Sequence, residues 1–419
     1  MPIRRPRTPK PTLRHIAFLE MLADTRETSP LRPGAHAAFL TLRLLDSWVK
    51  LGAPLADPGA QAHAAAREAV GALQADPELR GALGVILDAV EALQEPDVQP
   101  VLPRVYALGL LLEQRGLLAQ AADVYQTVTR HVDSAAHLDL AYDAFMRTGY
   151  CLRHVGEFEW ADQAYGNAGA LATRDRDRIR VILARLGRAK VLWDRGNLPA
   201  ADDAISELLV EAETIDSNVV TALLLHDRAS LAWMRGDRVN AMKWLFRGYT
   251  LSPDDYDRER MLVDLAGYLS QFGAFDSARD ALRVIEKSAR AQGTRWVAQI
   301  NMLDLAYRTR NEVMFETYRR DLADQPLPPV NRVSYLLDVG KGCTVFGQYA
   351  EGRAALTECM RLARVHGLNR RLIQAEEALA ALNAAEATRA PAPAMEPIEA
   401  PEEIADALRR LLAEVTAGA

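Results

Sequence analysis

Cysteine is scarce: Cys151, Cys343 and Cys359 are the only three in 419 residues. Three are too few for a disulfide scaffold, and this fits a reducing compartment. No apolar run approaches the roughly 20 residues that cross a bilayer, so no membrane association is expected. The opening stretch MPIRRPRTPKPTLRH is basic but has no apolar core and does not read as a secretory signal. A cytoplasmic location is the expectation. The eight histidines are scattered, with no H-x-x-x-H or C-x-x-C pair at metal-ligand spacing, so neither a metal nor a cofactor is expected. The stretch from Asp338 to Thr344, DVGKGCT, lacks the G-x-x-x-x-G-K-[ST] spacing of a phosphate loop. No catalytic constellation is visible, and the chain reads as a non-enzyme. A net charge of −6 argues against nucleic acid as a general partner. Only the N-terminal arm, with Arg4, Arg5, Arg7, Lys10 and Arg14, could touch phosphates weakly, and a solvated tail explains it more simply.

What the chain does have is a period. Gly116, Gly156, Gly196 and Gly236 are spaced by 40 residues, Gly273 follows after 37, and Gly347 after a further 74. Asn311 stands in the middle of that last gap, as a residue that tolerates a left-handed turn. Five positions after the glycines come Ala121, Ala161, Ala201, Ala241, Ala278 and Gly352. Seven positions before them stand Gly109, Gly149, Ala189, Ala229, Ala266 and Gly340. Nine positions after lie Tyr125, Tyr165, Ile205, Leu245, Leu282 and Leu356. The Asn311 unit breaks the pattern, with Asp304 and Glu316 where small residues are due. A turn joining two antiparallel helices explains the spacing. Small residues facing each other would let the axes approach, and the larger residue would fill the space beside them. Such a hairpin cannot bury both faces alone, so neighbours must stack.

The pattern resembles the tetratricopeptide repeat (TPR), stretched from its usual 34 residues to 36–40. Leu108-Gly109, Gly116, Ala121 and Tyr125 carry the likeness, as do Gly149, Gly156, Ala161 and Tyr165, and Ser252-Pro253 supplies a terminal proline. Similar stretched units occur in bacterial signalling regulators. The resemblance implies an all-α, TPR-like right-handed α-solenoid of about seven helix hairpins, with an N-terminal helical extension and a C-terminal tethered helix.

The expected organisation is a basic arm over 1–32, with room for a short helix at Thr12–Ala23, and a helical extension or degenerate repeats over 33–98. The solenoid follows over 99–385, then a linker over 386–401 with four prolines in sixteen residues, and an amphipathic helix over 402–419. In that last segment Ile404, Leu408, Leu411, Leu412 and Val415 form one helical stripe. It could dock within the chain, in the groove, or cap the final repeat.

In stacked TPR hairpins the first helix, A, lines the concave side. Reading its exposed offsets from each turn gives Tyr150, Arg153 and His154, then Lys190 and Trp193, then His226, Ser230 and Trp233, and later Asn301, Arg308 and Lys341. Tryptophans among cations suit capture of a protein or peptide partner. The plainer reading packs Trp193 and Trp233 between hairpins. The expected function is a non-catalytic scaffold binding a partner segment in the groove. The alternative is a regulatory sensor or adaptor of a bacterial signalling or transcription pathway, whose solenoid changes pitch on binding.

Overall fold

The computed structural model describes residues 14–23, 31–51, 57–93, 97–365, 368–388 and 396–417. Arg4, Arg5, Arg7 and Lys10 of the arm, and residues 389–395 of the linker, lie outside them. Among the described residues there are twenty helices and no strand. The chain forms two compact units, Met1–Ala204 and Ile205–Ala419.

The first unit opens with α1 (Ile16–Ala23), α2 (Arg32–Leu51), α3 (Asp57–Gly71) and α4 (Pro77–Glu91). Helices α2, α3 and α4 pack on one another around Leu42, Leu45, Leu83, Ile86 and Leu87. Hairpins then begin: α5 (Leu102–Gln114) with α6 (Leu118–His131), α7 (Leu138–His154) with α8 (Phe158–Asp175), and α9 (Arg178–Asp194) leading into α10 (Leu198–Glu213), within which the units divide. The second unit continues with α11 (Asn218–Met234) and α12 (Arg238–Leu251), then α13 (Asp255–Phe272) and α14 (Phe275–Ser288). It goes on through α15 (Gln292–Arg308) and α16 (Glu312–Ala323), then α17 (Pro329–Val345) and α18 (Tyr349–Val365). Helix α19 (Asn369–Thr388) packs on α17 and α18, and α20 (Glu402–Ala417) closes the described chain. Seven TPR-like hairpins thus make an all-α solenoid. The helix of α19 runs three residues into the stretch expected to be linker, through Thr388.

Each hairpin turns the same way. The backbone N–H of Leu117, Glu157, Asn197, Asp237, Ala274, Asn311 and Gln348 donates to the carbonyl five residues back, at 2.8–3.0 Å. That is the six-to-one bond of a Schellman motif, which places a left-handed residue just before the donor. Six of those residues are glycines, with φ between 75° and 97°. The seventh is Arg310, at φ 54°, not Asn311. Asn311 instead caps α16, its side chain accepting from the Met314 N–H. A short polar side chain gains more from satisfying an orphan helix donor than from occupying the turn.

Packing inside a hairpin centres on the large residue. A Cβ on Gly109 would lie 2.4 Å from the Tyr125 ring, and one on Gly340 would lie 2.4 Å from Leu356. So the small residue on helix A seats the large residue nine positions past the turn, and in the last hairpin it also meets the small one, since a Cβ on Gly352 would lie 3.2 Å from the Gly340 carbonyl oxygen. Tyr165 has a slot from two helices: a Cβ would come within 2.9 Å of its ring from Gly149 on α7 and within 2.3 Å from Gly187 on α9. In the Arg310 hairpin, Phe315 fills the position elsewhere held by alanine, and Gly342 of α17 makes room, since its Cβ would lie 2.1 Å from that ring.

Between repeats, Ser217 caps α11 and Asp254 caps α13, each side chain accepting from a backbone N–H three residues on. Helix α9 is capped by Asp177, because α8 runs on through Asp175, and α7 has no side-chain cap.

Helix α1 is held by a buried charge cluster. His15 Nδ1 lies 2.9 Å from Asp123 of α6, and its Nε2 lies 3.3 Å from Asp46 of α2. Asp46 also meets His131 at 2.7 Å and Arg14 at 2.8 Å. Burial lowers the His15 pKa, but hydrogen bonds to both carboxylates outweigh it, and the net shift is upward. Burial raises the Asp46 pKa, and its His131, His15 and Arg14 partners overcome that and hold the carboxyl far below its ordinary range. His15 itself sits at φ 61°.

Candidate functional site

The sequence-selected residues all fall on A helices, on faces that the hairpin packing leaves half open. In the first unit, Tyr150, Arg153 and His154 share the last turns of α7, and Lys190 and Trp193 lie near the end of α9. Arg153 reaches across to pair with Asp194 of α9. Its guanidinium lies 5.8 Å from the Tyr150 ring centre and donates to His154 Nε2 at 2.9 Å. The Tyr150 and His154 rings meet edge-on at 4.4 Å. Burial and then the Arg153 charge push the His154 pKa below its ordinary value, so the imidazole is neutral near pH 7 and able to accept that bond. Trp193 and Lys190 are half-buried.

In the second unit the A helices carry polar rungs from one hairpin to the next. His226 of α11 pairs with Asp264 of α13 at 2.8 Å. Tyr268 of α13 donates to Ser230 of α11 at 3.3 Å. Trp233 stacks flat on Tyr268, with centroids 4.2 Å apart and planes 5° from parallel. Arg238 lies 5.6 Å from the Trp233 centroid. Ser270 of α13 donates to Asp304 of α15 at 3.0 Å. Asp304 also accepts from Arg308 Nε at 2.6 Å and from the Tyr307 hydroxyl. Tyr307 reaches Asp338 of α17 at 3.4 Å, and Lys341 Nζ lies 3.9 Å from the same carboxylate. Burial, and then the nearby Asp304, push the Asp338 carboxyl up to about 7. Asn301 is half-buried on α15, without a part in these rungs among the bonds described.

Sequence reading missed Asp264, Tyr268, Ser270, Asp304, Tyr307 and Asp338. The signal for two of them was one register step away. Counted from Arg310, the true left-handed residue, the offset that selects Tyr150, Lys190, Ser230 and Lys341 falls on Asp304, and the offset that selects Arg153, Trp193 and Trp233 falls on Tyr307. Asp264 and Asp338 both stand nine residues before their turns, a position the chosen offsets skipped.

Chemically, this face offers paired charges and stacked rings. All three cysteines are buried, and burial pushes the thiols up, Cys151 to about 12 and Cys343 and Cys359 to about 11. Thiols so protonated act as apolar filler. Among the described residues no cluster of His, Cys, Asp or Glu is placed to hold a metal ion, and no helix is long and apolar enough to cross a membrane.

No protein-family model matches the chain, and no curated protein matches it. Among solved structures, a tetratricopeptide repeat protein from Parabacteroides merdae is 12% identical, with a TM-score of 0.43, covering 66% of this chain and 98% of its own. A Rap protein complexed with competence and sporulation factor is 11% identical, with a TM-score of 0.44, covering 84% of this chain and 99% of its own. The Rap conjugation gene regulator of plasmid pLS20, in complex with the Phr* peptide, is 11% identical, with a TM-score of 0.45, covering 84% of this chain and 95% of its own. What this chain shares with them is an architecture of repeated helices.

Proposed function

We propose that the A-helix faces bind a peptide or protein segment, and that the chain is a non-catalytic interaction scaffold. The observation that supports this is the set of polar rungs repeating on successive A helices of the second unit. Their groups are partly open, as the Asp264 carboxylate (side chain 43% exposed) and the Lys341 ammonium (37%) illustrate. Their partners His226 and Asp338 are only 12% and 15% exposed, so each pair presents one open group, whose hydrogen bonds a ligand could share. Amide and carboxylate groups of an extended backbone suit that sharing, and the Trp233–Tyr268 stack offers an apolar platform beside it. In the first unit, Tyr150, Arg153, His154, Lys190 and Trp193 would serve the same role.

Because the rungs tie one hairpin to the next, a ligand that replaced them would also change how hairpins pack. That favours a regulatory sensor as the second reading. Small-angle scattering with and without ligand separates the two: a sensor changes its dimensions and a static scaffold does not.

The test is to select binding peptides from a random library and measure their affinity by calorimetry. Trp233 is already stacked on Tyr268, so replacing it would loosen α11 against α13 as well. Tyr150→Ala, Arg308→Ala and Lys341→Ala probe the face more cleanly. At least one should weaken binding about 30-fold, the scale of a 2 kcal/mol hot spot. Trp160→Ala, on the second helix of its hairpin, α8, and 53% exposed, should leave it unchanged. Equal affinity across all four variants would remove the reading.

A further inference from the structure

Helix α20 neither lies on the A-helix face nor caps the last hairpin. It returns to the second unit and packs on α14. Ile404 and Leu408 are fully buried in the cluster that holds Phe275, Ala281 and Val284, and Leu411, Leu412 and Val415 pack against it. Ile398 N–H donates to the Gly273 carbonyl at 2.9 Å, and a Cβ on that glycine would lie 3.2 Å from the Glu396 carbonyl oxygen. The turn glycine therefore also seats the incoming segment.

The outer face of α14 is written for this. Four and eleven residues past the turn, α12 carries Asn240 and Arg247, and α18 carries Glu351 and Glu358, all polar and open to solvent. At the same positions α14 carries Ser277 and Val284, which are buried. The one parallel among the hairpin B helices is α6 in the first unit, where Gln120 and Thr127 are buried and Gln120 donates to the Ala17 carbonyl of α1. In α6 a carboxylate seven past the turn, Asp123, meets His15 of the covering segment, whereas Arg409 of α20 pairs with Asp406 of its own helix.

We propose that the outer face of α14 is a docking site for an amphipathic helix of a partner protein, and that α20 is an internal ligand holding that site until the partner displaces it. The helix that fits has apolar residues at i, i+4, i+7, i+8 and i+11, as Ile404, Leu408, Leu411, Leu412 and Val415 show. Helix α20 suits exchange because it rests on α14 alone among its principal packing partners and is joined to α19 through a segment containing Pro391, Pro393, Pro397 and Pro401. A short tether sets an effective concentration on the order of 1 mM. Against a helix that binds with a Kd of about 10 μM, it suppresses binding in trans roughly 100-fold.

The experiment uses the full chain and two labelled peptides: residues 396–417, and an unrelated Ala/Glu/Lys helix with leucine at the five apolar positions. The release variant Ile404→Asp/Leu408→Asp should bind both peptides, with affinities within about tenfold of each other and roughly 100-fold tighter than the unaltered chain. Circular dichroism confirms that the variant stays folded. Should it not fold, a protease site placed within residues 389–395 of the otherwise unaltered chain gives the second arm. After cleavage, excess labelled peptide should replace α20 below the melting temperature. No uptake by a folded variant, or no exchange after cleavage, overturns the proposal. Uptake of the native peptide alone, or a concentration-dependent doubling of mass in the release variant, would assign the face to copies of this chain and overturn the partner assignment.

Discussion

Replacing Gly187 with alanine should destabilise the first unit, although alanine is the better helix former by about 1 kcal/mol. The reason is the slot around Tyr165. The new Cβ would lie 2.3 Å from one ring carbon and 2.4 Å from the next, inside contact distance. The ring cannot retreat, because Gly149 bounds the slot from α7 with three ring atoms already 2.9 Å from where its own Cβ would be. Tyr165 is only 4% exposed. Overpacking of this kind costs about 1–3 kcal/mol. Set against the propensity gain, the net loss is up to about 2 kcal/mol. Two comparisons isolate the cause. Gly166→Ala, on the same helix as Tyr165 but with nothing within 4 Å of its Cβ, should gain about 1 kcal/mol. In a Tyr165→Ala background the slot is empty, and Gly187→Ala should then stabilise. The coupling between the two sites should equal the overpacking cost, about 1–3 kcal/mol. Urea unfolding followed by circular dichroism, on the single and double variants, reads each midpoint. If Gly187→Ala stabilised the parent as much as Gly166→Ala does, the ring-in-slot account of hairpin packing would be wrong.

Three further outcomes are expected. Arg310→Gly should raise stability by about 1 kcal/mol, since it relieves a left-handed residue, while Arg310→Ala should not, and urea midpoints distinguish them. Asp338 has its folded pKa raised from 3.8 to about 7, so the folded chain holds the proton more tightly and its stability falls as pH rises through that window. Asp338→Asn should therefore match the parent near pH 4 and exceed it at pH 8; an equal difference at both would refute the burial effect. His15 has its folded pKa raised above 6.5, so its contribution is complete below that value and is lost as pH rises through the raised one. Hydrogen exchange of α1 amides, corrected for intrinsic rates, should lose protection between pH 6 and pH 8.5, and His15→Asn should abolish that step.

The hairpins were legible because they are local. A left-handed turn wants glycine, and close helices want small residues, so a period of 37–40 with fixed offsets wrote the A and B helices into the chain. The amphipathic stripe from Ile404 to Val415 placed the helix α20 for the same reason. Where a local rule had two solutions, reading failed. Asn311 satisfies either a turn or a cap, and only the hydrogen bonds show that Arg310 takes the turn. That one-residue shift hid Asp304 and Tyr307.

Contacts between distant segments were not legible. Which helix α20 covers depends on a match between Ile404, Leu408 and a face of α14 more than a hundred residues away. Its trace in the chain is that Val284 stands where the other B helices carry polar side chains: Thr127, Asn167, Glu207, Arg247, Asp321 and Glu358. The polar rungs need two A helices side by side before a histidine and an aspartate 38 residues apart can meet. The sequence by itself determined the hairpin, its turn and its small-residue seats, because those energies act within one or two turns of chain. Tertiary structure decided which faces are covered, which charges pair and which carboxyl is desolvated, because burial and Coulomb energy depend on neighbours that no spacing specifies.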